Sequence, residues 1–219
     1  MVLDRYRPVA DRILVPMAQG LLSVDPDLLT AGALVFAILA GLSYFWAGRL
    51  FSSVLFLGLA FLFVFGNALL DSLDGKVAKL TGKSSLRGDF LDHSLDRYAD
   101  IFLLGGVTFS LYCRSWIGLL AILGVLMASY MGTQAQAVSR DRDYGGLLGR
   151  ADRLVILLAM TLLQLVFDPG GRQFLGATWG GWDLRFTITE YAMLAFAILG
   201  QVTAIQRGRS TWRKLSVGP

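Results

Sequence analysis

The chain has 219 residues, of which 55% are hydrophobic and only 16% charged, with a formal net charge of +4. Soluble domains carry about 25% charged residues, so this composition excludes an ordinary soluble domain and indicates a polytopic membrane protein. A single cysteine, Cys113, and a single histidine, His93, exclude an internal disulfide and a Cys/His zinc site; any metal must be held by carboxylates, which suits hard cations such as Mg2+, Mn2+ or Ca2+.

Residues 1–22 mix Asp4, Arg5, Arg7, Asp11 and Arg12 with apolar residues at helical spacing (Tyr6, Val9, Ile13, Met17 and Leu21). No long apolar run precedes a cleavage site, so this is not a signal peptide but an amphipathic helix. It is expected to lie on the membrane surface, over 1–24, or to pack on the rest of the protein, or both. Six membrane-spanning helices follow, at about 28–47, 50–70, 95–112, 116–138, 154–167 and 186–206, most near the ~20 residues needed to cross a bilayer. The fold class is therefore all-α: an interfacial helix, a six-helix bundle over 25–206 and a tail over 207–219, in one domain. Tyr44, Trp46, Tyr112, Trp116, Trp179 and Trp182 fall near helix ends, as interface anchors do. The external stretch 168–185 is Gly-rich and suggests no function.

Lys and Arg divide unevenly among the connections: sixteen fall with the N-terminal segment, the second-to-third and fourth-to-fifth connections and the tail, and four (Arg49, Arg114, Arg172 and Arg185) on the other side. The positive-inside tendency places both termini and the long connections in the cytoplasm of a cell-membrane protein. Facing anionic headgroups, these charges account for the basic balance without nucleic acid.

The chemistry is concentrated in 71–100, which reads DSLDGKVAKLTGKSSLRGDFLDHSLDRYAD. Asp71 and Asp74 end the second helix and Asp92 and Asp96 begin the third, spaced three and four apart and so each pair on one helix face. Thr81, Gly82, Ser84 and Ser85 form a turn between them. A helix–turn–helix would bring four carboxylates together, where they repel unless cations neutralise them. Oxygen ligands at this density hold one or two divalent ions. A solvated charged loop is the plainer alternative, but Gly75, Ala78 and Gly88 fall where a backbone would approach a bulky ligand, and Lys79 is placed to reach a phosphate.

This stretch resembles the signature of the CDP-alcohol phosphotransferase family, D-x2-D-G-x2-A-R-x8-G-x3-D-x3-D, filled by Asp71, Asp74, Gly75, Ala78, Lys79, Gly88, Asp92 and Asp96. Every spacing agrees; Lys79 stands where the family usually has Arg. The resemblance implies a membrane transferase of phospholipid biosynthesis that moves a phosphatidyl or archaetidyl group from a CDP-linked lipid to an alcohol, releases CMP, and works as a homodimer with a two-metal site of Mg2+ or Mn2+. It implies Asp71, Asp74 and Asp92 as metal ligands, with Asp96 completing the second metal site and acting as general base. Asp71, Gly75, Ala78, Lys79 and Gly88 would contact the nucleotide. An ammonium at position 79 lacks the bidentate fork of a guanidinium. Upstream, Pro26-Asp27-Leu28-Leu29-Thr30 resembles the family's P-N-x-x-T, which would place Asp27 and Thr30 near the nucleotide; a plain helix start, capped by Asp25 with Pro26 first, explains most of it.

The acceptor is read from 129–153. Arg150 and Arg153 lie beside a helix start, where the dipole does not favour cations, so an anionic ligand is expected between them, with Arg142 as a third candidate for an acceptor phosphate. The segment looks like archaeal members of the family, whose donor is CDP-archaeol and whose acceptor is often a polyol phosphate. The Y-x-R-A-R pattern of many inositol-phosphate enzymes is absent, Tyr130 being followed by Met131, Gly132, Thr133 and Gln134. Inositol phosphate is the expected acceptor, with glycerol phosphate or serine as alternatives. His93 is expected to face away from the metals. An ion carrier or channel would need acidic residues buried deep in several helices, and these are not expected outside the 71–100 cluster.

Overall fold

The computed structural model describes residues 7–50, 52–139, 145–170, 175, 176, 178, 179, 182, 183 and 185–216. Seven helices follow one another: α1 (Arg7–Gln19), α2 (Pro26–Trp46), α3 (Ser53–Leu80), α4 (Leu86–Thr108), α5 (Ser115–Ser139), α6 (Arg150–Phe167) and α7 (Ile188–Ser216). A hairpin of two short antiparallel strands, β1 (Thr178–Trp179) and β2 (Trp182–Asp183), interrupts the connection before α7. The all-helical expectation therefore holds apart from this hairpin.

Local chemistry sets the boundaries that matter. Asp25 caps α2, its carboxylate accepting the Asp27 N–H at 3.0 Å, and Pro26 opens the helix. At the end of α3, Lys83 N–H donates to Ala78 O at 2.9 Å and Gly82 N–H to Lys79 O, with Gly82 at φ 68°. This is a Schellman closure, and it needs the left-handed conformation that glycine adopts without steric cost. Ser85 then caps α4 by accepting from Gly88 N–H at 3.1 Å.

The third span, expected from residue 95, thus belongs to a helix that starts at Leu86. Hydropathy marks where a helix becomes apolar, whereas Ser85 decides where it begins. Likewise α7 continues to Ser216 through the stretch expected to be a tail. The 28 residues of α3 rise about 42 Å, more than the ~30 Å of hydrocarbon in a bilayer, so its polar last turns extend beyond the apolar stretch 53–70.

Four helices, α2, α3, α5 and α7, are long and apolar enough to cross a membrane. The expected six are reduced to four on this measure because α4 carries Asp92, Asp96, Arg97 and Asp100, and α6 carries Arg150, Asp152 and Arg153. Helix α2 packs against both α3 and α4, α4 also packs against α5, α5 pairs with α7, and α6 packs against both α3 and α7. The tight crossings are built on glycine. A Cβ on Gly106 of α4 would lie 2.2 Å from Gly41 O of α2, and one on Gly200 of α7 would lie 2.4 Å from Gly124 C of α5. Small residues let helix backbones touch, which is how packing is gained where the surrounding lipid is as apolar as the side chains. Helix α1 packs on α3, with Ala18 buried against Leu73 and Val77 and an ion pair between Asp11 and Lys76.

At the end of the bundle that holds the hairpin connection, Glu190 of α7 is 1% exposed and accepts from Arg114 N at 2.8 Å, Arg114 Nε at 2.7 Å and Thr187 N at 3.1 Å. Asp152 is also buried, and its carboxylate accepts from Gly149 N–H at 2.9 Å. Buried acids therefore do occur outside 71–100, contrary to expectation. Each sits at a helix end and is satisfied by backbone donors, which is a structural use and not an ion pathway.

Candidate active site

Asp71 and Asp74 in the last turns of α3 meet Asp92 and Asp96 in α4, because the five-residue turn reverses the chain and both helices pack against α2. One carboxylate oxygen each from Asp71, Asp74 and Asp92 lie within 4.8 Å of one another, and a second group within the same limit joins Asp92, His93 and Asp96. Hard oxygen donors gathered this closely fit a divalent cation such as Mg2+ or Mn2+. Their charges act on one another: Asp92 is pushed up to about 7, by burial first and then by the charges of Asp96 and Asp74.

His93 does not face away as expected. Its ring lines the same cavity, with Nε2 3.2 Å from Asp89 Oδ1 and Nδ1 3.7 Å from Asp92 Oδ2. A rotation of about 100° per residue separates neighbours on a helix, but the imidazole is long enough to turn back toward its flanking carboxylates.

Thr30 supports the cluster from α2. Its hydroxyl donates to Asp74 Oδ2 at 2.7 Å, while the other oxygen of Asp74 accepts from Gly75 N–H at 2.5 Å. The helix-start explanation of 26–30 is correct for Asp25 and Pro26, but incomplete for Thr30. Asp27 faces the α3–α4 turn, 3.8 Å from Arg87, and a Cβ on Gly88 would lie 3.9 Å from its carboxylate.

These groups open onto a cavity of about 820 Å3. Among the residues singled out in sequence, it is lined by Asp71, Asp74, Gly75, Lys79, Asp92, Asp96, Arg150 and Arg153; Ala78, Gly88, Asp27 and Thr30 lie outside its lining. A Cβ on Gly75 would meet nothing within 4 Å, so the backbone there is open to a ligand. Arg142 lies outside the described residues.

The two arginines of α6 reach the cavity already paired with aspartates. Arg150 pairs with Asp71 at 2.9 Å and with Asp96, and Arg153 pairs with Asp100 at 3.2 Å. Only the three-dimensional packing of α6 on the α3–α4 pair could show this.

Four further residues belong to the site. Ser129 of α5 lines the cavity and accepts from Arg153 Nη1 at 3.4 Å. Arg207 of α7 also lines it, and donates to Gly145 O at 2.8 Å and to Ala128 O. Asp11 of α1 contributes to the opposite wall. Asp100 is buried behind the arginines. In sequence, Arg207 was one tail charge among several, whereas Asp100 continues the four-residue spacing of Asp92 and Asp96.

The chain resembles known proteins in sequence and in fold. The family model described as CDP-alcohol phosphatidyltransferase matches residues 23–202. An archaetidylinositol phosphate synthase of Methanothermobacter thermautotrophicus is 29% identical over 214 residues, covering 98% of this chain and 96% of that one. A phosphatidylinositol phosphate synthase of Cutibacterium acnes is 31% identical over 167 residues, covering 72% and 76%. In fold, the chain is similar to the Mycobacterium tuberculosis phosphatidylinositol phosphate synthase crystallised with CDP-DAG bound, with a TM-score of 0.70 at 24% identity over 92% of this chain and 94% of that one. The same enzyme in complex with manganese and citrate gives a TM-score of 0.69, over 91% and 88%.

Proposed function

From the premise that this chain belongs to the CDP-alcohol phosphatidyltransferase family, we propose that it transfers an archaetidyl or phosphatidyl group from a CDP-linked lipid to inositol phosphate, releasing CMP. The observation that carries this reading is one cavity lined both by the carboxylates of α3 and α4 and by Ser129, Arg150, Arg153 and Arg207, with Arg150 directly against Asp71 and Asp96. Relatives named as inositol phosphate synthases, matched over nearly their whole length, support the acceptor.

In this reading Asp71, Asp74 and Asp92 hold divalent metal, with Asp96 completing a second position. Bound metal would neutralise charge on the diphosphate and on departing CMP. The protein's residues do the rest. Lys79, exposed on the cavity wall beside the open backbone of Gly75, meets the diphosphate as a point charge. Asp27 in the first turn of α2 and Gly88 in the first turn of α4 border the nucleotide where it extends beyond the cavity lining. Asp96 lies between the metal cluster and Arg150; there it takes the proton of the acceptor hydroxyl, a poor nucleophile until deprotonated. The arginines and Ser129 receive the acceptor phosphate through charge-assisted hydrogen bonds.

The membrane arrangement proposed with it has six crossings, α4 and α6 included, with α1 at the interface. Both termini and the site face the cytoplasm, and the chain works as a homodimer, as the family resemblance implies. Carboxylates and arginines on α4 and α6 then pair inside the bundle, where charge in a membrane is tolerated.

The test is an acceptor screen with purified protein and Mn2+, using CDP-archaeol and CDP-diacylglycerol as donors and mass spectrometry as readout. Inositol phosphate is expected to give a phosphorylated lipid product and CMP, and serine or free inositol little. Efficient use of serine with none of inositol phosphate would overturn the acceptor and leave the transferase family in place.

A further inference from the structure

Asp100 lies one turn beyond Asp96 on α4 and outside the eight-position signature. It does not line the cavity, yet it is buried and touches two residues that do. Its Oδ2 is 3.2 Å from Arg153 Nη1 and 3.9 Å from Arg97 Nε. Arg153 in turn donates to Ser129 Oγ at 3.4 Å, and Arg97 reaches Asp96 Oδ2 at 3.5 Å.

One carboxylate is therefore shared by two guanidinium groups on either side of it. Arg153 is 7% exposed, and a guanidinium cannot shed its proton in a protein, so it must find a counter-ion. Asp100 is the carboxylate with which Arg153 forms an ion pair among the described residues, so removing it leaves a buried guanidinium free to shift from its place against Ser129.

We propose that Asp100 is a positioning residue of the transfer reaction: it holds Arg153 in the cavity wall, against Ser129, where the acceptor phosphate is received. This rests on the reading of Arg153 as part of the acceptor-phosphate site. Asp100 touches no reacting atom; it acts through the arginines.

The experiment is a double-mutant cycle on Asp100→Asn and Arg153→Gln, with Asp100→Glu as the conservative variant. KM for inositol phosphate, KM for the CDP-lipid and kcat are measured, together with Mn2+ affinity by electron paramagnetic resonance without substrate. Asp100→Asn is expected to raise KM for inositol phosphate about tenfold or more, the size of a lost charge-assisted contact. KM for the CDP-lipid and Mn2+ affinity should stay within about twofold, the resolution such a comparison needs against a coupling of this size. Asp100→Glu should fall between Asn and wild type. The double variant should be no worse than Arg153→Gln, because Asp100 acts through Arg153. Independent effects that multiply, or a fall in kcat with unchanged acceptor KM, would overturn the proposal. If Arg153→Gln itself leaves acceptor KM unchanged, the acceptor-site reading fails and this inference with it; if Arg153→Gln raises it and Asp100→Asn does not, only the inference fails. Should Asp100→Asn fail to fold, Asp100→Glu decides, since unchanged acceptor KM in that variant refutes the positioning role.

Discussion

Thr30→Val removes a hydroxyl and keeps the shape of the side chain, so it isolates one hydrogen bond at the heart of the site. The Thr30 hydroxyl has a single proton and two acceptors in range, Pro26 O at 3.1 Å and Asp74 Oδ2 at 2.7 Å. The shorter contact, to a carboxylate, takes the proton, since bonds to charged acceptors are the stronger. Such a bond contributes about 1.5–3 kcal/mol, and partners that orient metal ligands typically change metal affinity by about 10- to 100-fold when removed. The two ranges agree, because about 1.4 kcal/mol is one factor of ten. Thr30→Val is therefore expected to weaken Mn2+ binding by about tenfold or more, with transfer activity recovering at saturating metal, and Thr30→Ser to behave as wild type. Paramagnetic titration of free Mn2+ measures the affinity directly. If Thr30→Val binds Mn2+ within about twofold of wild type, far less than the expected loss, Asp74 is oriented by Gly75 N–H alone and the reasoning fails.

Asp71→Asn, Asp74→Asn and Asp92→Asn are each expected to abolish CMP formation and Mn2+ binding while the protein still inserts; activity retained by any one removes that residue from the ligand set. Lys79→Ala is expected to raise KM for the CDP-lipid severalfold and Lys79→Arg to keep or lower it, and equal values in all three proteins would show that Lys79 points elsewhere. Because Asp92 holds its proton up to about 7, metal must displace that proton below this value, so Mn2+ affinity is expected to fall as pH drops through about 7 and to level off above it. Gly106→Ala would place a methyl 2.2 Å from Gly41 O; prising α2 from α4 is expected to cost about 1–3 kcal/mol, read as a lowered Tm in detergent, and an unchanged Tm would mean the crossing is loose.

The carboxylate cluster was legible in sequence because its geometry is local. Spacings of three and four fix one helix face, Gly82 and Ser85 fix the turn, and a turn this short brings the two faces near each other. The same locality made the capping of α2 by Asp25 readable. Two features depend on packing between distant segments, a third on a side-chain torsion, and none of the three was readable. Arg150 meets Asp71 and Asp96 only because α6 docks across α3 and α4. Arg207 and Ser129 enter the site from α7 and α5. His93 turns back toward Asp89 and Asp92, against the face its position suggested. Helix length was misread for a different reason: hydropathy marks only the apolar stretch of a helix, and the end of α3, the start of α4 and the end of α7 are polar continuations of it.

That overrun explains why the site stands where it does. The apolar part of α3, 53–70, rises about 27 Å, close to the ~30 Å hydrocarbon thickness, and Asp71 is the next residue. Within the membrane arrangement proposed above, the metal ligands therefore begin at headgroup depth, where the diphosphate of a CDP-lipid lies when its chains remain in the bilayer. Deeper placement would bury uncompensated carboxylates in hydrocarbon; shallower placement would require the lipid to leave the membrane. Arginines on the short helix α6, whose 18 residues rise about 27 Å, meet the same depth from the other side of the cavity. A water-soluble phosphate acceptor can reach that level without entering hydrocarbon. The length of the apolar stretch in α3, as much as the spacing of its aspartates, is thus part of the catalytic design.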